Sequence, residues 1–474
     1  MTSCFVCVVK VNGGARLLPA CATAVSDGMV VESECEEVHA ARRTALELLL
    51  SDHLGDCIGP CQSICPAHMD IPTMIRQIAA GQYREALITV KRHIALPAVL
   101  GRICPELCEK GCRRASWDSA ISICRLKRFV ADLDLALKTP YRPFCRPAST
   151  KKVAIIGAGP TGLAAAYYLQ PMGYPCTIFD EHDQPGGALA YLVPEDRLPR
   201  EVLAAEIRQI EALGVKFRLG QRVGVNPSLA DLRQIFDVVL IACGDSAREA
   251  QLGLETSERG IKVDRQTLMT SRPGVFAAGS AVNPTHHAVQ AVADGRQAAF
   301  AIKNYLTGEP VAGERRPYTV HIGKMDREEL TRYMEHIPAH GRMTPQGDGY
   351  TEQEAVWEAS RCMHCDCRKL QGCKLRNYAI EYGATVGKYT GERRRFACDF
   401  SHDEIIYEPG KCIDCGICIR IAEAAREPLG LSFIGRGFAV HVAVPFDEQI
   451  AAGLRRTARE CAAACPTGAL AMKK

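Results

Sequence analysis

The chain has 474 residues, enough for about three domains at roughly 100–200 residues each. A net charge of +4 excludes the strong field of a nucleic-acid or membrane-surface binder, and no apolar run approaches the roughly 18–20 residues of a membrane span. The start, "MTSCFVCVVKVNGG", reads as no export leader, so the 24 cysteines point to metal or redox work in the cytoplasm rather than a disulfide scaffold.

In chain order, residues 1–52 hold short β-like runs ("CFVCVVKV", "GMVVESE") and then the helical "VHAARRTALELLLSDH". Residues 53–140 read as helical, with Ile71, Met74, Ile75 and Ile78 at the spacing of one helix face. "TPYRPFCRPASTKK" is a proline-rich linker. Residues 151–308 alternate strand and helix patterns, residues 309–384 are polar and irregular, and residues 385–474 form a small unit with strand material in "FIGRGFAVHVAVPF". The expected fold is multidomain, α/β and α+β. Cysteines gather at 4–21, 57–65, 104–124, 362–373, 412–418 and 461–465, while 177–361 contains only Cys243. Metal clusters need such islands; disulfides do not.

"KKVAIIGAGPTGLAAAYYL" carries the first clear chemistry. The apolar strand Val153–Ile156 runs into Gly157-x-Gly159-Pro160-x-Gly162 and an alanine-rich helix. Gly157 permits the tight turn, Gly159 lets a pyrophosphate approach the backbone, and Gly162 lets helix and strand pack closely. A second strand, "CTIFD", ends in Asp180, eighteen residues after Gly162, where a carboxylate binds a ribose hydroxyl.

This segment resembles the FAD domain of the glutamate synthase small-subunit family. The pieces that match are "GAGPTGLAAAYYL", "FDEHDQPGGALAYLVPEDRLPREVLAAEI", "DVVLIACG" and "PGVFAAGSAVNPTHHAVQAVADGRQAA", and the likeness covers about 57–308. It implies FAD, with Gly186 and Gly187 near the cofactor and Gly279 beside the ribityl chain. Ser280 stands where the family has aspartate, so the side chain there brings a hydroxyl and no charge. The family inserts a whole NAD(P)H domain after the "ACG" strand. Here only 35 residues separate Gly244 from Gly279, with no second GxGxxG, whereas a nucleotide-binding βαβ unit alone needs about 30. A flavin domain without its own nicotinamide site is expected.

Thiolates are the usual ligands of iron–sulfur clusters, four to a cluster. Cys57, Cys61 and Cys65 are followed by Cys104, Cys108 and Cys112 and then Cys124, one short of two sites. In the resembled family this domain holds two [4Fe–4S] clusters. By position Cys65, Cys104 and Cys108 would hold one, with Cys124 near the fourth place. Cys57, Cys61 and Cys112 would hold the other. "SDHLGDC" is similar to the His-x3-Cys start of a cluster site in the large iron–sulfur subunit of respiratory complex I, which nominates His53 as the missing ligand. A solvated histidine at a helix end is the alternative, and zinc is the alternative for the whole domain.

The C-terminal unit, with Cys412-x2-Cys415-x2-Cys418 and Cys465-Pro466, resembles a two-cluster bacterial ferredoxin domain, in which those four cysteines form one [4Fe–4S] site. Ala422, Arg455 and Ala458 stand at ligand positions of the second cluster, leaving Cys461 alone. Cys4, Cys7 and Cys21 resemble the closing half of the [2Fe–2S] domain of the complex I large subunit, as a remnant or a site short of one ligand. Cys362, Cys365, Cys367 and Cys373 match no named spacing; zinc and [4Fe–4S] both suit them. Cys145, Cys176, Cys243 and Cys398 read as ordinary cysteines.

Together these motifs imply an FAD and iron–sulfur oxidoreductase subunit that relays electrons, with about three [4Fe–4S] clusters and a [2Fe–2S] cluster or zinc at the remaining thiols. Its expected partners are hydrogenase-, formate dehydrogenase-, ferredoxin- or complex I-like subunits. An assembly subunit derived from a reductase, and a stand-alone NAD(P)H oxidoreductase, are the alternatives. No catalytic acid, base or nucleophile stands out.

Overall fold

A computed structural model describes residues 4–248, 252–284 and 287–473. The chain divides into two compact units. One comprises Met1–Pro60, Pro317–Ile337 and Met363–Lys474; the other comprises Cys61–Arg316 and Pro338–Cys362.

The second unit is built on a five-stranded parallel sheet. Its strands lie in the order Val275–Ala277, Val238–Ile241, Val153–Ile156, Cys176–Phe179, Lys216–Arg218. All four residues of the central strand are buried, as a strand covered on both faces requires. Val153, Ile155, Val238 and Leu240 face the helices Pro160–Leu169 and Ala288–Thr307, while Ala154, Ile156, Val239 and Ile241 pack with Leu229 and Leu232 on the other side.

The first of these cores continues into a helical bundle formed by Ile71–Ala79, Tyr83–Lys91, Pro97–Ile103 and Ile123–Leu135. Ile71, Met74, Ile75 and Ile78 are all buried, the face their spacing predicts, and Asp70 caps the helix by accepting the Thr73 N–H at 3.3 Å. A buried carboxylate joins bundle and sheet. Glu206, on the helix Arg200–Glu211, accepts the backbone N–H groups of Ala98 at 3.0 Å and Val99 at 2.9 Å. Burial pushes its carboxyl up to about 7, against the pull of Lys91 and the two N–H donors.

In the first unit, Val8–Val11 is the centre of a three-stranded antiparallel sheet with Leu17–Pro19 and Val31–Glu32. The helix Glu36–Asp52 buries Leu46 and Leu50 against Leu375 and Ala379 of the helix Lys374–Glu381. Its buried Glu47 accepts the Thr385 N–H at 3.2 Å and pairs with Lys388 at 2.6 Å. The C-terminal part pairs Ile405–Tyr407 with Leu470–Met472, and Ser432–Ile434 with His441–Ala443, under the helices Ile417–Ala424 and Ala458–Ala464.

The segment 309–384, read from sequence as irregular, instead carries three helices, Arg327–Met334, Glu352–Ser360 and Lys374–Glu381. Capping boxes start the first two, Asp326 with Glu329 and Thr351 with Glu354. These helices are short and mostly polar, so their apolar stripe is too brief to read as a period. No helix among the described residues is long and apolar enough to cross a membrane.

Candidate flavin and iron–sulfur sites

The glycine loop closes on itself in the way a dinucleotide cradle requires. Gly157 adopts φ +109°, and a Cβ there would lie 2.5 Å from the Ala242 carbonyl oxygen. Gly162 is pressed so close that a Cβ would stand 2.0 Å from the Gly157 carbonyl oxygen. The other loops meet the same spot: a Cβ on Gly187 would lie 2.8 Å from Gly159 Cα, and one on Gly279 would lie 2.3 Å from Thr161 Oγ1. The Gly186 N–H also donates to the Ala158 carbonyl at 2.9 Å. These loops and the start of Pro160–Leu169 therefore approach one another backbone to backbone, and a helix N-terminus after a glycine turn is an arrangement that suits a pyrophosphate.

Asp180 does two jobs at the end of its strand. One carboxylate oxygen accepts the Ala158 N–H at 2.6 Å, inside the glycine loop, and the other accepts the His182 N–H at 2.9 Å and pairs with His182 Nδ1 at 2.8 Å. The oxygen that accepts the Ala158 N–H keeps a second lone pair for a ribose hydroxyl. Between Gly244 and Val275, the described residues form a helical turn and one two-stranded antiparallel ladder, Thr256–Ser257 with Gly260–Ile261.

In the same unit Cys65, Cys104, Cys108 and Cys124 surround one lysine. Lys127 Nζ lies 3.8 Å from Cys124 Sγ. Burial pulls the Lys127 ammonium down, but Cys124, Cys104, Cys108 and Cys65 together hold its pKa well above the ordinary value. Cys124 pushes the Cys104 thiol up, and burial raises Cys65. Buried thiols become thiolates when a cation compensates them, so this pocket suits iron. Sequence reasoning missed Lys127, although it sits three residues after Cys124 in "CRLK", one turn along the helix. Glu109 also escaped notice; it accepts the Cys124 backbone N–H at 3.0 Å. Cys61 and Cys112 belong to this unit as well, and Arg114, two residues after Cys112, donates to the Arg361 carbonyl at 2.9 Å, beside Cys362.

In the first unit, Cys412, Cys415, Cys418 and Cys465 converge on one cavity, walled by Tyr407, Ile413, Val442 and Pro466. Burial raises the first three thiols, Cys418 up to about 12. A space bounded by four thiols and otherwise apolar fits a [4Fe–4S] cluster. Ala422, Ala458 and Cys461 are packed in the core with Leu454 and Ile450. Near the N-terminus Cys7 Sγ stands 3.3 Å from Cys21 Sγ, and Cys4 lies close enough to act on both Cys21 and Cys415.

His53 and Cys57 fall in the first unit, and Cys61 and Cys112 in the second. In the first, Cys57 has Cys367 and Cys373 as neighbours, a pairing that no local spacing reveals because two distant segments build it.

Three family models match the chain: a 2Fe–2S iron–sulfur cluster binding domain over residues 1–36, dihydropyrimidine dehydrogenase domain II with its 4Fe–4S cluster over 52–139, and pyridine nucleotide-disulphide oxidoreductase over 126–295. The NADP(+)-dependent formate dehydrogenase subunit beta of Moorella thermoacetica is 42% identical over 222 residues, 42% of this chain and 31% of that one. The NADPH-Fe(3+) oxidoreductase subunit beta of Geobacter sulfurreducens is 41% identical over 207 residues, 43% of this chain and 30% of that one. Residues 52–295 are similar to glutamate synthase small-subunit-like FAD and iron–sulfur proteins. A third relative, the NAD-dependent dihydropyrimidine dehydrogenase subunit PreT of Salmonella typhimurium, is 40% identical over 190 residues, 40% of this chain and 46% of that one. The chain thus spans less than half the length of these curated relatives. The matched regions take in both sites of the second unit, and the 1–36 match covers Cys4, Cys7 and Cys21.

Proposed function

We propose that this chain is an electron-transfer subunit of a multi-component oxidoreductase complex in the cytoplasm, relaying electrons between partner redox subunits and a bound FAD. FAD, when bound, would store two electrons and could trade them one at a time with clusters that each carry one. The observation that carries the reading lies in the second unit, where one continuous core holds both the glycine cradle and the Cys65, Cys104, Cys108 and Cys124 pocket. A flavin site and a one-electron site on one rigid body are held at a fixed separation.

The residues divide the work. Gly157, Gly159, Pro160 and Gly162 present backbone to the pyrophosphate, and Asp180 orients a ribose while fixing the loop. Gly186, Gly187, Gly279 and Ser280 close over the flavin side. Cys412, Cys415, Cys418 and Cys465 hold a ferredoxin-like terminal, and Cys4, Cys7 and Cys21 stand beside it. The name of one relative, a formate dehydrogenase subunit, supports a place among formate dehydrogenase-like partners. The test is anaerobic mixing of the reconstituted chain with reductants. Reduced ferredoxin should bleach the flavin, and NADH or NADPH should not. Bleaching by NADPH alone would replace this proposal with a self-sufficient NAD(P)H oxidoreductase.

A further inference from the structure

One group of ligand-type side chains in the first unit is left over from the sites above. Cys57, Cys367 and Cys373 lie close enough for each thiol to act electrostatically on another. The Cys367 backbone N–H donates to the Cys57 carbonyl at 3.2 Å, and Cys57 and Cys373 are both buried in the core with Leu46, Leu50 and Leu375. His53, four residues before Cys57, has its Nδ1 closed to solvent with no hydrogen-bond partner among the described residues. The buried Lys411 ties the group together, since its ammonium acts on His53, Cys57 and Cys367. A Cβ on Gly55 would lie 2.9 Å from Lys411 Cε and 3.4 Å from His53 Nε2, so glycine there lets imidazole and lysine approach. An orphaned buried imidazole nitrogen is costly unless something pairs with it.

We propose that His53, Cys57, Cys367 and Cys373 hold a further [4Fe–4S] cluster. Three sulfurs and one imidazole make a complete four-ligand set, drawn from two segments that the whole second unit separates in sequence. Its place argues for redox work rather than a structural ion. The Lys374 N–H donates to the Pro466 carbonyl at 2.8 Å, and Lys369 Nζ donates to the Cys465 carbonyl at 2.6 Å. A Cβ on Gly468 would lie 2.6 Å from Cys367 Sγ. The ligand segment therefore lies directly on the backbone that carries Cys465. One electron can pass between the two clusters, one being oxidised as the other is reduced, with no proton moved. Zinc has no redox chemistry and would gain nothing from this placement.

This inference adds a site to the relay reading, and its readout does not depend on partners. The full chain is reconstituted anaerobically with iron and sulfide, and iron, zinc and flavin are counted. Cys367→Ala combined with Cys373→Ala should lose about four irons per chain and keep FAD. His53→Cys, which preserves the number of ligands, should keep its iron but lose a nitrogen coupling that pulsed EPR detects in the parent. Unchanged iron in the double variant, zinc in place of the lost iron, or no nitrogen coupling in the parent would overturn the assignment. Failure of the relay reading would appear separately, as flavin that reduced ferredoxin does not bleach.

Discussion

Replacing Asp180 by alanine tests the flavin cradle most sharply. In the fold the Ala158 N–H is fully buried and donates to Asp180 at 2.6 Å. Without the carboxylate that donor has no acceptor, a cost of about 1–3 kcal/mol. The same change removes a charged acceptor for a ribose hydroxyl, worth about 1.5–3 kcal/mol. The first loss loosens the loop that must meet the pyrophosphate, and the second acts on the bound nucleotide alone. Taking only the second, FAD affinity should fall by about 10- to 150-fold. Titration of apoprotein with FAD, followed by quenching of flavin fluorescence, measures this directly. Iron content should stay at the parental level, since Asp180 is remote in sequence from every thiol of the Cys65 set. Asp180→Asn, which can still accept one hydrogen bond, should fall between the two. An affinity within twofold of the parent for Asp180→Ala would refute the role given to this residue.

Three further outcomes follow from packing and charge. Gly295→Ala should lower the melting temperature, by an amount equivalent to about 1–3 kcal/mol, because its Cβ would lie 2.2 Å from the Thr161 carbonyl oxygen where two helices cross; calorimetry checks it. Arg361 is fully buried, pairs with Glu358 at 2.9 Å and donates to the Ser119 carbonyl at 2.9 Å, so Arg361→Met should cost about 3–5 kcal/mol by leaving Glu358 a buried charge without its cation; chemical denaturation reads it. Glu206 is held at about 7 in the fold against an ordinary value of 4.5, so the native state keeps a proton that the unfolded chain has released. Stability therefore falls by about 1.4 kcal/mol for each pH unit between roughly 5 and 7 and levels off above. The advantage of the parent over Glu206→Gln should shrink across that range, and a difference independent of pH would contradict it.

The parts of the sites that follow from local order were legible. Glycines at fixed offsets after a strand, an acid ending the next strand, and Cys-x2-Cys-x2-Cys with a distant Cys-Pro are written within short windows, and each window folds as its own turn or helix. The convergence of Cys57 with Cys367 and Cys373 was hidden, because the contact runs between segments on either side of an entire compact unit. Lys127 and Lys411 were overlooked for another reason. A lysine ordinarily reads as surface, and only burial beside thiols turns it into part of a site. The capping boxes at Asp326 and Thr351 were plain in "DREE" and "TEQE", yet the polar surroundings outweighed them.

Low-temperature EPR of the full chain, reconstituted without oxygen and reduced with dithionite, reaches the core of this account. Protein with FAD bound should show bleached flavin together with the signals of several reduced clusters, one of them lost when Cys65 and Cys108 are both replaced by alanine. A flavin-loaded chain whose iron stays EPR-silent, or whose thiols hold only zinc, would contradict it.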